Sequence, residues 1–211
     1  MPSTLTYLFD PLCGWCYGAS PVVQQLVQQP NIQLQLAPTG LFSGTGGRVM
    51  DAGFADFAWS NDLRIQKLSG QRFTEVYHKQ VLGQPGIRFD SGAATLALTA
   101  VSLTEPKREL ATLKLLQEAR YVDGQDTSEL TTVANILHKH GLVRAAELVQ
   151  TCDAQLMATN NTRVQQAQQR MRSLGAQGVP ALVLSQDGTQ RLLRSDLLFG
   201  HIDTLLSAIT T

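Results

Sequence analysis

Two cysteines of this chain stand close together, as Cys13-Gly14-Trp15-Cys16. A run of β-branched and aromatic residues, 4–9, precedes them, and a helical pattern from Trp15 to about Gln28 follows. A cysteine at a strand-to-helix junction faces unpaired N–H groups and the positive end of the helix macrodipole, which favour thiolate over thiol. A thiolate attacks disulfides, and a second thiol about one turn along resolves the mixed disulfide that results. On this logic Cys13 is the nucleophile and Cys16 the resolver. Zinc is the competing use of the spacing. It needs two further ligands, and Cys152, His138 and His140 offer no second pair, because the two histidines face different ways on a helix. No metal site is expected.

The elements that must position these cysteines are legible as periodicities. Ile32-Gln33-Leu34-Gln35-Leu36 alternates at period two, a strand with one buried face. Strand, helix and strand suit a parallel right-handed crossover, and Pro21 lies inside the helix, where a proline kinks the axis. From about Asp51 to Leu174 the spacing is helical throughout. Ala93, Leu96, Ala97, Ala100 and Val101 share one face, as do Leu130, Val133, Ala134 and Leu137. Leu142, Ala145, Ala146 and Val149 form a third such face, and Val164, Ala167, Met171 and Leu174 a fourth. Gly124, Gly141 and Gly175 mark helix ends, and Asp126-Thr127-Ser128 offers N-caps for the helix containing Leu130. Phe54, Phe57 and Trp59 read as helical core.

After Gly178 the period changes back. Ala181-Leu182-Val183-Leu184 is a buried strand, Asp187-Gly188 a hairpin turn and residues 190–194 the returning strand. Ile202, Leu205, Leu206 and Ile209 space a closing helix. Neither β-containing half can cover both faces of its own sheet, so the halves join into one sheet with the helical block inserted. The expected units are an N-terminal half (1–44), a helical insert (45–174) and a C-terminal half (175–211).

Composition narrows the function classes. A chain of 211 residues and 23.0 kDa is one domain, or one domain with a large insertion, and 43% hydrophobic residues supply a sizeable core. Lys+Arg 17 balances Asp+Glu 17, which disfavours a nucleic-acid partner held by bulk charge. No apolar run approaches the ~20 residues of a membrane span. Met1-Pro2-Ser3-Thr4 has no basic region and residues 5–9 are too short for an export core, so a cytoplasmic protein is expected. Three cysteines cannot build a secreted disulfide framework.

The CxxC after the first strand, the proline in the following helix and Val179-Pro180 before the third main strand together resemble the thioredoxin superfamily. The stretch Phe9-Asp10-Pro11-Leu12-Cys13-Gly14-Trp15-Cys16-Tyr17-Gly18 is similar to the DsbA family, and most similar to its cytoplasmic FrnE-like branch. Phe89-Asp90-Ser91-Gly92-Ala93, and Leu116-Gln117-Glu118-Ala119-Arg120-Tyr121 with Gly124, resemble that branch's helical insert. Gly175-Ala176-Gln177-Gly178-Val179-Pro180 resembles its approach to a cis-proline. These matches span most of the chain. They imply an α/β thioredoxin fold (βαβ…ββα) with a large all-α insertion. The implied activity is that of a thiol–disulfide oxidoreductase or isomerase acting on protein or peptide disulfides, with no bound cofactor. Its electron partner would be glutathione or a thioredoxin-type reductant. Pro180 would pack beside the cysteines in a cis peptide, with the Val179 backbone presented to substrate.

Some residues depart from that pattern. Tyr7 stands six residues before Cys13, where many superfamily members carry a buried acid, and Asp10 is placed to cap the active-site turn. The Gly-Trp pair between the cysteines has no histidine to stabilise a thiolate. Two other classes share the inserted fold: glutathione-using transferases or isomerases of the kappa type, which typically carry serine at the active position, and non-enzymatic adaptors that deliver a regulator to a protease. Trp15 either contacts substrate or covers the sulfurs. Tyr17 packs against the insert, and Cys152 reads as a small buried hydrophobe. Gly44-Thr45-Gly46-Gly47 lacks the GK[ST] of a phosphate loop and reads as a flexible loop near the groove. Residues 105–109 read as a solvated, charged helix start. The insert begins just after the second strand, so it should overhang the cysteines as one wall of a groove.

Overall fold

The first strand, β1 (Ser3–Phe9), is buried on both faces from Leu5 to Phe9, and it takes a central place in the sheet. The computed structural model describes residues 3–210. Met1 and Pro2, part of the segment read for an export signal, and Thr211, the end of the C-terminal half, lie outside the described residues. Helix α1 (Gly14–Val27) returns the chain to β2 (Ile32–Pro38), which pairs parallel with β1 at the sheet edge. Gln33 and Gln35 of β2 face solvent, as the alternation requires.

On the other side of β1 lies β5 (Ala181–Gln186), antiparallel, followed by β6 (Thr189–Leu192) and the closing helix α9 (Ile202–Thr210). The strand order is β2-β1-β5-β6. Asp187 and Gly188 both adopt positive φ, +50° and +77°, the two-residue turn whose twist matches a hairpin.

Between β2 and β5 the chain is helical apart from a ribbon of two-residue strands, β3 (Arg48–Val49) and β4 (Arg88–Phe89). Its helices are α2 (Ala52–Ser69), the single turn α3 (Glu75–Tyr77), α4 (Gly92–Thr104), α5 (Glu109–Tyr121), α6 (Leu130–Lys139), α7 (Val143–Thr151) and α8 (Ala154–Leu174). Periodicity assigns α4 one apolar face, yet residues 93–101 are all buried. The reason is position: α5, α6, α7 and α8 surround α4, and its small residues admit them closely. One apolar cluster runs from β1 and α1 through α4 to α7, so sheet and insert share a core.

Five local readings need correction. Glu109, at the end of the segment read as solvated, is buried and pairs with Arg163 at 2.6 Å. Phe57 is 63% exposed, because α2 turns Ala55, Asp62 and Ile65 inward; Phe54 and Trp59 are half-buried, Phe54 against Phe89 and Trp59 stacked on His78. The N-cap of α6 is Glu129, while the Asp126 carboxylate accepts from the Ser128 amide and closes a turn before it. Cys152 is half-buried at the left-handed C-cap of α7. Gly44–Gly46 forms a tight 3₁₀ turn in which a Cβ on Gly46 would strike the Leu41 carbonyl. Among the described residues no helix is long and apolar enough to cross a membrane.

The contact of α1 with α2 is the closest link between sheet half and insert near the cysteines. A Cβ on Gly18 would lie 2.6 Å from Cγ2 of Ile65 and 3.3 Å from Cε1 of Phe199. Gly18→Ala is therefore expected to lower stability by about 1 kcal/mol. Overpacking of about 1–3 kcal/mol outweighs the roughly 1 kcal/mol gain in helix propensity. Urea unfolding reads it directly, and an unchanged or raised midpoint would contradict the packing argument.

Candidate active site

The loop from β1 to α1 is fixed by side chains from three parts of the chain. Asp10 is buried, and its carboxyl accepts from the Leu12 amide (2.9 Å), the Phe42 amide (3.1 Å) and the Ser91 hydroxyl (2.7 Å). Burial pushes this carboxyl above its usual range, against the pull of those donors. The hydroxyl of Tyr121, from α5, donates to the Leu12 carbonyl at 2.8 Å. Tyr7, where an acid was the family expectation, donates to the main-chain carbonyl of Cys16 at 3.3 Å. Asp10 thus does more than cap a turn: it ties the cysteine loop to both the segment after β2 and the head of α4.

Cys13 is the N-cap of α1, with extended backbone, and its carbonyl accepts from the Tyr17 amide at 3.0 Å. Cys16 lies one turn deeper, 1% exposed against 6% for Cys13, and both are free thiols. Burial pushes the Cys16 thiol well above the ordinary range, and the neighbouring Cys13 adds to the shift. From the far end of the chain, Val179 reaches the same point. The Cys13 thiol donates to the Val179 carbonyl at 3.5 Å, and the Val179-Pro180 peptide is cis, with Pro180 buried.

Trp15 stands between two cavities. One, about 240 Å³, has Cys13, Phe42, Phe54, Asp62 and Tyr121 in its wall, so the insert does overhang the cysteines. The other, about 520 Å³, is lined by the 175–181 segment with Leu193, Ser195 and Phe199. The indole meets the Phe199 ring edge-on at 5.4 Å, and the Arg64 guanidinium stands 5.8 Å from its centroid. Tyr17 stacks on Tyr121 and abuts Phe73, both in the insert, as its pattern suggests. Burial pushes its hydroxyl up to about 12, which keeps it neutral and out of proton traffic.

Asp62 was missed in the sequence. It is 5% exposed, and Tyr77 donates to its Oδ2 at 3.0 Å. Burial raises its carboxyl to about 7. The signal was available, since Asp62 shares the inward face of α2 with Ala55 and Ile65. Among the described residues no three His, Cys, Asp or Glu side chains cluster for a metal.

The family profile described as DSBA-like thioredoxin domain matches residues 4–209. Among solved structures, the cytosolic disulfide reductase DsbM from Pseudomonas aeruginosa aligns at 29% identity and a TM-score of 0.86, covering 98% of this chain and 97% of that one. Its structure with GSH aligns at 28% identity and 0.85, over 99% and 100%. A candidate protein disulfide isomerase from Nitrosomonas europaea shares the fold at 22% identity and 0.79, over 99% and 97%. Comparison with curated proteins gave no match. With the inserted thioredoxin sheet and a family match along nearly its whole length, the chain belongs to the DSBA-like thioredoxin domain family and is a DsbA-like thiol–disulfide oxidoreductase.

Proposed function

We propose that the protein is a cytosolic disulfide reductase in which Cys13 attacks, Cys16 resolves and glutathione disulfide is among the disulfides reduced. The observation that carries this reading is the Cys13 thiol at the head of α1, 3.5 Å from the Val179 carbonyl, with Cys16 behind it. Ionised Cys13 bonds one sulfur of a protein or peptide disulfide, and the other sulfur leaves with the electron pair. Loss of the Cys13 proton also frees the Val179 carbonyl to accept from a substrate N–H, a short form of strand addition. Cys16 then attacks Sγ of Cys13 and releases the second substrate thiol. Pro180 and Trp15 line the larger cavity, whose volume suits a bound peptide such as glutathione.

The reducing direction has two supports. DsbM, similar over nearly the whole chain, is a cytosolic disulfide reductase with a GSH-bound structure. The pair between the cysteines is Gly-Trp, with no histidine there to stabilise a thiolate as strong oxidants require, and the buried acids nearby are Asp10 and Asp62. The reduction potential of the Cys13–Cys16 pair, equilibrated against glutathione, is expected below the cytosolic glutathione poise. A value above it would reassign the protein as an oxidase or isomerase.

Cys16→Ser separates the two thiol roles. It is expected to accumulate mixed disulfides through Cys13, resolved only by added thiol. Mass spectrometry of non-reduced digests reads this, and adducts on the serine variant of Cys13 instead would reverse the assignment.

A further inference from the structure

An acid in the middle of an 18-residue surface helix ordinarily faces water. Asp62 does not. Its Oδ2 is held by the Tyr77 hydroxyl at 3.0 Å, and its Oδ1 faces the residue after Cys13: a Cβ on Gly14 would lie 2.5 Å from it. Glycine between the cysteines is thus what lets this carboxyl approach the head of α1. Asp62 and Cys13 line one cavity whose other walls are mostly aromatic, among them Trp15, Phe42 and Phe54.

The groups facing Asp62 are few. From α3 comes the Tyr77 hydroxyl and from α5 the Tyr121 hydroxyl, both pushed well above their ordinary range by burial and so neutral. From α5 also comes Arg120, fully buried, with its guanidinium 5.8 Å from the Tyr77 ring centroid and 3.6 Å from Asp126. At the head of α1, Cys13 lines the same cavity. Burial raises the Asp62 carboxyl, and the Arg120 charge and Tyr77 hydrogen bond pull it down, leaving it at about 7. A carboxyl poised there exchanges protons efficiently near neutrality.

We propose that Asp62, supplied by the helical insert, is the proton-exchange group of the site. This deepens the reductase reading and rests on it. The Cys13 thiol passes its proton to the Asp62 carboxylate, and the thiolate bonds one sulfur of the substrate disulfide. The substrate S–S bond breaks, its electron pair goes to the other sulfur, and that sulfur takes the proton from Asp62. Cys16 then gives an electron pair to Sγ of Cys13. The bond to substrate breaks, and the proton lost by Cys16 is matched by one taken up at the second leaving sulfur. The substrate gains two electrons and two protons, and the cysteine pair becomes the disulfide, which a thioredoxin-type reductant returns to dithiol.

The test is single-turnover reduction of glutathione disulfide by the reduced protein, from about pH 5 to about pH 9. The unsubstituted protein is expected to show an ionisation near 7 in its rate profile. Asp62→Asn should lose that limb and slow exchange by about tenfold to a hundredfold. Tyr77→Phe keeps the carboxyl but removes a donor to its charged form, so its limb should move to higher pH. Folding does not confound the comparison. A raised carboxyl contributes stability below the ordinary carboxylate range and loses it as pH rises through about 7, so Asp62→Asn should unfold no earlier than the parent above that pH. A profile unchanged in Asp62→Asn, or slowed by one factor at every pH with the limb near 7 kept, overturns the role of Asp62 alone. No exchange by the unsubstituted protein overturns this role and the reductase reading together.

Discussion

Cys13→Ser is expected to reduce disulfide exchange by about a thousandfold or more, to the background of free thiols. A serine hydroxyl at the same N-cap would still accept the helix geometry and still donate to the Val179 carbonyl, now 3.5 Å from Sγ. It cannot form the sulfur–sulfur bond on which every later step of the proposed reaction depends. Because the side chain is nearly isosteric, stability should stay close to that of the parent. Turnover of a model disulfide by the two proteins, measured beside their urea midpoints, separates chemistry from folding. Substantial exchange in Cys13→Ser would show that Cys16 or Cys152 carries the reaction.

Asp10→Ala is expected to lower stability by roughly 3–5 kcal/mol. The carboxyl accepts from Leu12, Phe42 and Ser91, and the donors of Leu12 and Ser91, both buried residues, have no water to turn to. Each buried donor left unpaired costs about 1–3 kcal/mol, partly recovered by relaxation. The loss should also reach activity in the fraction that remains folded, because the cysteine loop would be released from the insert. Thermal unfolding and exchange rates well below the melting point check the two effects. A loss under about 1 kcal/mol would mean that the loop is held by Tyr7 and Tyr121 alone.

The contrast between Phe57 and Asp62 shows how far a pattern can be read. The sequence reads as helical from about Asp51 onward, yet in α2 apolar residues lie on more than one side. Which side meets α1 is decided by Gly14 and Gly18, whose missing side chains let Asp62 and Ile65 approach. An aromatic residue was assigned inward and is exposed, while an acid goes in. The same limit applies to Cys152, whose placement follows from the left-handed end of α7 rather than from its hydrophobicity. In α4 the apolar face was read correctly, and the burial of its remaining sides follows from four neighbouring helices.

The sequence by itself determined the features that depend on adjacent residues: the CxxC at a strand-to-helix junction, the alternation of β2, the Asp187-Gly188 turn and the glycine-ended helices. Each is a local backbone or burial preference, expressed over a few residues, and a short window suffices to see it. The tertiary structure alone decided what surrounds the sulfurs. Ser91 reaches Asp10 across 81 residues, Tyr121 reaches Leu12 across 109, and Val179 reaches Cys13 across 166. Asp62 comes to the cavity only because α2 packs on the head of α1. The electrostatics of the site depend on burial and on charges brought together by packing, and neither quantity exists in the chain before it folds.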